Sequence, residues 1–234
     1  MKFSIKNNIP NTITILNIIS GVIGIIFTLR YNKPEIGIIF MLIAGVFDLS
    51  DGLAARILNA RSEIGKELDS LCDVVSFGVL PGVLMYTYMD GIITNESYSY
   101  IALVSLMIPA FAAIRLAIFN TTEQSLSTFS GLSSPGAAFF IASIILNNQI
   151  GRITEALPEA ASLAIMSIIV IAVSFLMVSK VKLLTLKFHS KQLKDNYITI
   201  FMIIASIVLA SILGFDSLLY IFLLYIILSI IFAK

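Results

Sequence analysis

The sequence predicts an all-α integral membrane protein of about eight transmembrane helices. Three observations carry this. Hydrophobic residues make up 58 % of the chain and charged residues 12 %, against roughly 45–50 % and about 25 % in soluble domains. The mean hydropathy is +0.99. Apolar stretches near the about 20 residues that a bilayer-crossing helix needs recur along the whole chain between polar breaks. No Pro/Ser-rich linker, low-complexity tract or clear repeat divides the sequence, so it reads as one membrane domain with two extra helices at its end.

The first segment runs from about Thr12 to Leu29. Lys2 and Lys6 precede it as they would a signal peptide, but no small-x-small cleavage site follows and more spans come after, so a retained helix is expected. Arg30, Lys33 and Glu35 break it from the second, about Glu35 to Leu53, which ends in the acidic stretch "DLSDGLAAR". The third covers about Leu71 to Met89; Asp90 and Glu96 separate it from the fourth, about Tyr98 to Phe119. The fifth is expected over about Ser134 to Ile150 and the sixth over about Ala160 to Ser179, with Arg152, Glu155 and Glu159 between them. The basic stretch "KVKLLTLKFHSKQLK" at 180–194 then leads to a seventh, about Tyr197 to Leu213, and an eighth, about Leu218 to Ala233, parted near Asp216.

Cytoplasmic loops collect Lys and Arg. With eight spans and the N-terminus inside, all the cations except Arg30, Lys33 and Arg152 face the cytoplasm, and the acidic cluster of residues 48–73 lies at that face. The net charge of +1 says nothing about partners, because the basic residues are concentrated on one face; no nucleic-acid partner is expected, and the 180–194 stretch reads as an ordinary positive-inside loop, with anionic headgroups as the other reading. Cys72 is the lone cysteine, which excludes an intramolecular disulfide or a cysteine-rich metal site and leaves it a packing role. His189, also alone, stands in the basic loop and is not expected to be catalytic.

Residues 47–77 hold four aspartates, two glutamates and three cations beside apolar runs. On the second helix Asp48, Asp51, Gly52 and Ala55 fall on one face. On the third, Gly65, Asp69 and Asp73 form a stripe at i, i+4 and i+8. The short connection favours antiparallel neighbours, so the two stripes can face each other. Solvation accounts for Glu63 and Glu67. Asp48 and Asp73 stand a turn or more inside their apolar runs, where a charge costs at least about 2.5–3.5 kcal/mol.

Converging carboxylates about 4 Å apart repel by roughly 4 kcal/mol per pair at an effective dielectric near 20. Unless some are protonated, a cation must sit among them, and an all-oxygen set selects Mg²⁺, Mn²⁺ or Ca²⁺ rather than zinc. Gly52, Ala55 and Gly65 remove bulk beside such an ion, although each glycine alone reads equally as close helix packing. With Arg56, a planar donor suited to phosphate, the set looks like a site for a metal-bound diphosphate.

The stretch reads DxxDGxxAR, eight residues, then GxxxDxxxD, filled by Asp48, Asp51, Gly52, Ala55, Arg56, Gly65, Asp69 and Asp73. It resembles the signature of the CDP-alcohol phosphotransferase family. The resemblance implies a six-helix transmembrane core, commonly dimeric, with the nucleotide at the cytoplasmic ends of the first three helices. It further implies one or two divalent ions on the four aspartates, Asp73 as general base, and CMP as leaving group. On that basis residues 1–180 are the core, 181–196 a basic cytoplasmic loop, and 197–234 two additional helices.

Further pieces, "IPNTITILN", "LDSLCDVVSFGVLP", "RLAIFN" at 115–120 and "FSGLSSPGAA" at 129–138, resemble the phosphatidylserine synthase branch. That branch commonly carries RLARFN and GLPxP, where this chain has Ile118 and Ser133. The resemblance implies transfer of a phosphatidyl group from CDP-diacylglycerol to L-serine. Arg115 is a candidate for the serine carboxylate, with a positive-inside anchor as the alternative, and Asn120 is a second acceptor candidate. Asn17 reads either as a site residue or as an interhelical hydrogen-bonder. Glycerol 3-phosphate or an inositol compound remains an alternative acceptor, and Ca²⁺ a substitute or inhibitory ion. A divalent-cation transporter is the reading from another class, disfavoured because the carboxylates gather at one interface beside Arg56 rather than at the bilayer midplane.

Overall fold

In the computed structural model, residues 5–60, 62–121, 131–184 and 197–232 are described. The helices are α1 (Ile5–Tyr31), α2 (Pro34–Ile57), α3 (Glu63–Val74), α4 (Leu80–Asp90), α5 (Met107–Thr121), α6 (Ser134–Ile145), α7 (Asn148–Ala156), α8 (Glu159–Val178), α9 (Tyr197–Leu213) and α10 (Ser217–Phe232). A π-helical turn at Val75–Val79 joins α3 to α4, and a 3₁₀ stretch, Ile101–Leu106, leads into α5. No strand occurs among the described residues.

Among the described residues, six helical stretches are long and apolar enough to cross a membrane. The last of them, Tyr197–Phe232, turns back at Gly214, whose φ is +57°, and so makes the hairpin α9–α10. With the shorter apolar α6, the eight expected apolar segments are present, and the chain is a multi-pass membrane protein. His189, Arg61 and the basic stretch from 185 onward lie outside the described residues.

The fifth segment differs from expectation. Asn147 accepts from the Ile150 backbone N–H through its side chain, so the helix stops at Ile145 and a separate helix, α7, begins. At 12 residues α6 spans about 18 Å, short of a bilayer's hydrocarbon core. It tolerates this because eight of its residues are buried, and backbone that ends inside protein has no lipid to face.

Helix α1 packs on both α2 and the third span. Gly24 and Gly37 allow the first of these contacts: a Cβ on either would stand 3.1–3.2 Å from the other's carbonyl oxygen. Small residues that bring backbones together in this way are how membrane helices gain packing. The apolar core has two parts. Phe77, Leu80 and Leu84 pack with Met41, Ala44 and Ala138, while Met85, Ile108, Ile141, Leu163 and Met166 fill the space among α4, α5, α6 and α8.

One end of the bundle is tied by polar contacts. Glu159 accepts from the Thr94 and Asn95 backbone N–H groups, and Asp216 accepts from the Asn148 backbone and side chain. The acidic stretch lies at the other end.

Candidate active site

The carboxylates are positioned by three helices. Asp48 and Asp51 stand on the last turns of α2. The helix α3 begins where the Ser62 hydroxyl accepts from the Gly65 N–H at 3.0 Å, an N-cap that starts the helix at Glu63, so that Asp69 and Asp73 follow on it one turn apart. Carboxylate oxygens of Asp48, Asp51 and Asp69 all lie within 4.8 Å of one another. Asp73 is outside that trio; it is 8 % exposed and sits one turn deeper, within electrostatic range of all three.

The helix α1 supplies partners to both depths of the site. Thr14 donates its hydroxyl to Asp51 Oδ2 at 2.6 Å, and Asn17 donates its amide to Asp73 Oδ1 at 3.2 Å. Both side chains are buried. Ser76, in the π turn, donates to the Asn17 carbonyl at 3.2 Å, so the wide turn is also bonded to α1. The sequence reading missed Thr14 and weighed Asn17 only in general terms. The available signal was their spacing with Gly21 at i, i+3 and i+7 on one face of α1.

Of the other residues singled out by the sequence, Gly52 borders open space: a Cβ there would meet nothing within 4 Å. It is therefore not a helix-packing glycine. Gly65 is more confined, with Asn11 Oδ1 and Ser62 Oγ each 3.0 Å from a Cβ. Ala55 is half-buried and Arg56 exposed on the last turn of α2. Arg115 donates from Nη1 to Ser134 Oγ at 3.4 Å, stacks 5.9 Å from the Phe119 ring centroid and feels the Asp73 charge. Asn120 donates its side-chain amide to Ser70 Oγ at 2.8 Å, and its backbone carbonyl accepts from Lys66 Nζ at 3.0 Å. It thus ties the end of α5 to α3 beside Asp69. Cys72 is buried and free.

A cation fits this donor set. Three carboxylates converge, and Asp69 Oδ1 is buried without a hydrogen-bond partner among the described residues, a cost that a metal would relieve. Hard divalent ions take such oxygen ligands.

The sequence matches the family described as CDP-alcohol phosphatidyltransferase over residues 7–178. The chain belongs to the CDP-alcohol phosphatidyltransferase family. It is 33 % identical over 192 residues to the CDP-diacylglycerol–serine O-phosphatidyltransferase of Bacillus subtilis, covering 80 % of this chain and 95 % of that one. A protein of the same name from Mycobacterium leprae is 30 % identical over 207 residues, 85 % of this chain and 65 % of that one. The archaetidylserine synthase of Methanothermobacter thermautotrophicus is 33 % identical over 178 residues, 74 % of this chain and 68 % of its own length. Membership of this family makes the acidic end of the bundle the place to look for its transferase chemistry.

Proposed function

We propose that this protein transfers the phosphatidyl group of CDP-diacylglycerol to the hydroxyl of L-serine, giving phosphatidylserine and CMP. The observation that carries the reading is the convergence of Asp48, Asp51 and Asp69 above the buried Asp73, in a chain similar to serine-transferring enzymes. The open space at Gly52 supports a ligand against the α2 backbone there.

Asp48, Asp51 and Asp69, with Asp73 by the family resemblance, would hold Mg²⁺ or Mn²⁺. When bound, such an ion neutralises the diphosphate and stabilises charge on the departing CMP. Arg56 pairs with the diphosphate, with Gly52, Ala55 and Gly65 leaving room for it. Asp73 takes the serine hydroxyl proton as the serine oxygen bonds to the lipid-side phosphorus; the bond from that phosphorus to the bridging oxygen breaks, and CMP leaves with it. Asn17 holds the Asp73 carboxylate in place. Arg115 and Asn120 are assigned to the acceptor, Arg115 facing its carboxylate.

The same reading places residues 1–180 as the catalytic core, 181–196 as a basic cytoplasmic loop, and 197–234 as an added pair of helices. It puts the acidic end at the cytoplasmic face of the cell membrane, following the Lys/Arg bias, and the protein in a homodimer, as is common in the family.

Purified protein with CDP-diacylglycerol and Mg²⁺ or Mn²⁺ is offered serine, glycerol 3-phosphate or inositol, and CMP release is followed. Serine alone is expected to support release. Release with glycerol 3-phosphate and not with serine overturns the assignment.

A further inference from the structure

The α9–α10 hairpin lies beyond residues 7–178, over which the chain matches its family, and places no residue in the carboxylate cluster. Among the described residues, its polar ties to the core nevertheless fall at the two ends of α6, the helix too short to span a bilayer alone.

At the end far from the carboxylates, Asn147 Nδ2 donates to the Asp216 backbone carbonyl at 3.1 Å, and Asp216 Oδ1 accepts from the Asn148 N–H at 2.9 Å. Midway, Phe222 stacks on Phe140 with ring centroids 4.8 Å apart. At the opposite end, two side chains of α10 hold one residue of the segment that follows α8. Leu184 donates its backbone N–H to Ser229 Oγ at 3.2 Å, and its carbonyl accepts from the Tyr225 hydroxyl at 3.1 Å. Ser229 is fully buried, where losing a partner costs most.

The held segment in turn builds the entry to α6. The Gly131 N–H donates to the Val181 carbonyl at 2.8 Å and the Leu132 N–H to the Leu176 carbonyl at 3.0 Å. Gly131 has a φ of +77°, and a Cβ there would stand 2.6 Å from the Met177 carbonyl oxygen, so only glycine fits. Ser134 follows, fully buried, and its hydroxyl accepts from Arg115 Nη1 at 3.4 Å. Hydrogen bonds and short backbone links thus run from Tyr225 and Ser229 through Leu184, Val181 and Gly131 to Ser134 and the guanidinium.

We propose that Tyr225 and Ser229 are positioning residues: they fix the 181–184 segment and, through the entry to α6, the Ser134 hydroxyl that orients Arg115 for the acceptor carboxylate. The inference rests on the serine-transfer reading for the role of Arg115. A guanidinium presents its planar fork to a carboxylate in two-point geometry only where the long side chain behind it is held. The hairpin outside the family core therefore serves acceptor binding, and the carboxylate cluster does not depend on it.

The test compares the full-length parent with Tyr225→Phe and Ser229→Ala in nanodiscs containing CDP-diacylglycerol, with Mg²⁺ present. Each variant removes one hydroxyl. Each is expected to raise the KM for serine about threefold or more, with kcat and the KM for CDP-diacylglycerol within about twofold of the parent. Tyr225→Phe placed on Arg115→Lys should raise the serine KM no further than Arg115→Lys alone, because residues that act along one path are not additive. Hydrogen exchange at the Gly131, Leu132 and Leu184 amides should quicken in both variants, and at the α1 amides it should not.

An unmoved serine KM in both variants, an equal loss through kcat and both KM values, or full additivity with Arg115→Lys makes the hairpin a packing element only and overturns the inference. A parent that uses serine while the variants keep its KM sinks the positioning role alone. A parent that uses glycerol 3-phosphate and not serine sinks the serine reading alone, provided exchange quickens and that acceptor's KM rises in the variants.

Discussion

Asn17 of α1 and Asp73 of α3 are joined by a 3.2 Å hydrogen bond in which the amide donates to the carboxylate. Asn17 is fully buried, and its backbone carbonyl accepts from Ser76, which fixes this part of α1 against the π turn. A carboxylate that must meet a hydroxyl within hydrogen-bond reach gains its direction from this bond. Asn17→Ala is expected to lower kcat about tenfold or more while leaving the KM for serine within about twofold. An equal loss through KM would show that Asn17 contacts the acceptor instead.

Asp73→Asn keeps the shape and the Asn17 neighbour but removes proton acceptance. General-base contributions run about 10²–10⁴-fold, and the variant should lose activity by at least the lower figure. Its thermal unfolding should match the parent. Substantial remaining CMP release would remove Asp73 from that role.

Thr14 donates to Asp51 at 2.6 Å, and a partner that orients a metal ligand is commonly worth about 10–100-fold in metal affinity or activity. Thr14→Val retains the volume without the hydroxyl donor. The Mg²⁺ concentration for half-maximal rate should rise about tenfold, with most of the rate recovered at saturating ion. A chelator should silence both proteins, and re-addition of Mg²⁺ or Mn²⁺ should restore them.

Two glycines separate packing from function. A Cβ on Gly21 would stand 2.4 Å from Ser76 Oγ and 3.0 Å from Ser76 Cα, so Gly21→Ala pushes α1 off the π turn. Overpacking of this kind costs about 1–3 kcal/mol, read as a lower unfolding temperature in detergent. Gly52 has open space around it, and Gly52→Ala should unfold at the parental temperature while losing activity about tenfold, as a methyl group enters the space assigned to the diphosphate.

Hydropathy made most of the fold legible, because burying a backbone in lipid forces long apolar helices. It failed at 134–156, where the apolar run continued past a helix end that only the Asn147 cap reveals. The first residues of the amphipathic α7, up to Ile150, were counted into the preceding span for the same reason. The carboxylates were legible because charges within apolar runs demand a cause, and their spacing named the shared faces.

Thr14 and Asn17 were not legible in the same degree. Buried hydroxyls and amides bond in any helix bundle, and only the packing of α1 across both acidic helices reveals which atoms they meet.

The widened turn at Val75–Val79 works as an angular offset between two halves of one rod. Above it Leu80 and Leu84 are locked into the interior; below it the acidic residues must face α1 and α2. Each residue of a helix advances the direction of its side chain by about 100°. Shortening this turn by one residue would keep the anchor seated and swing Asp69 and Asp73 about a quarter-turn or more away from their partners. A chain with every acidic group intact would then be catalytically silent.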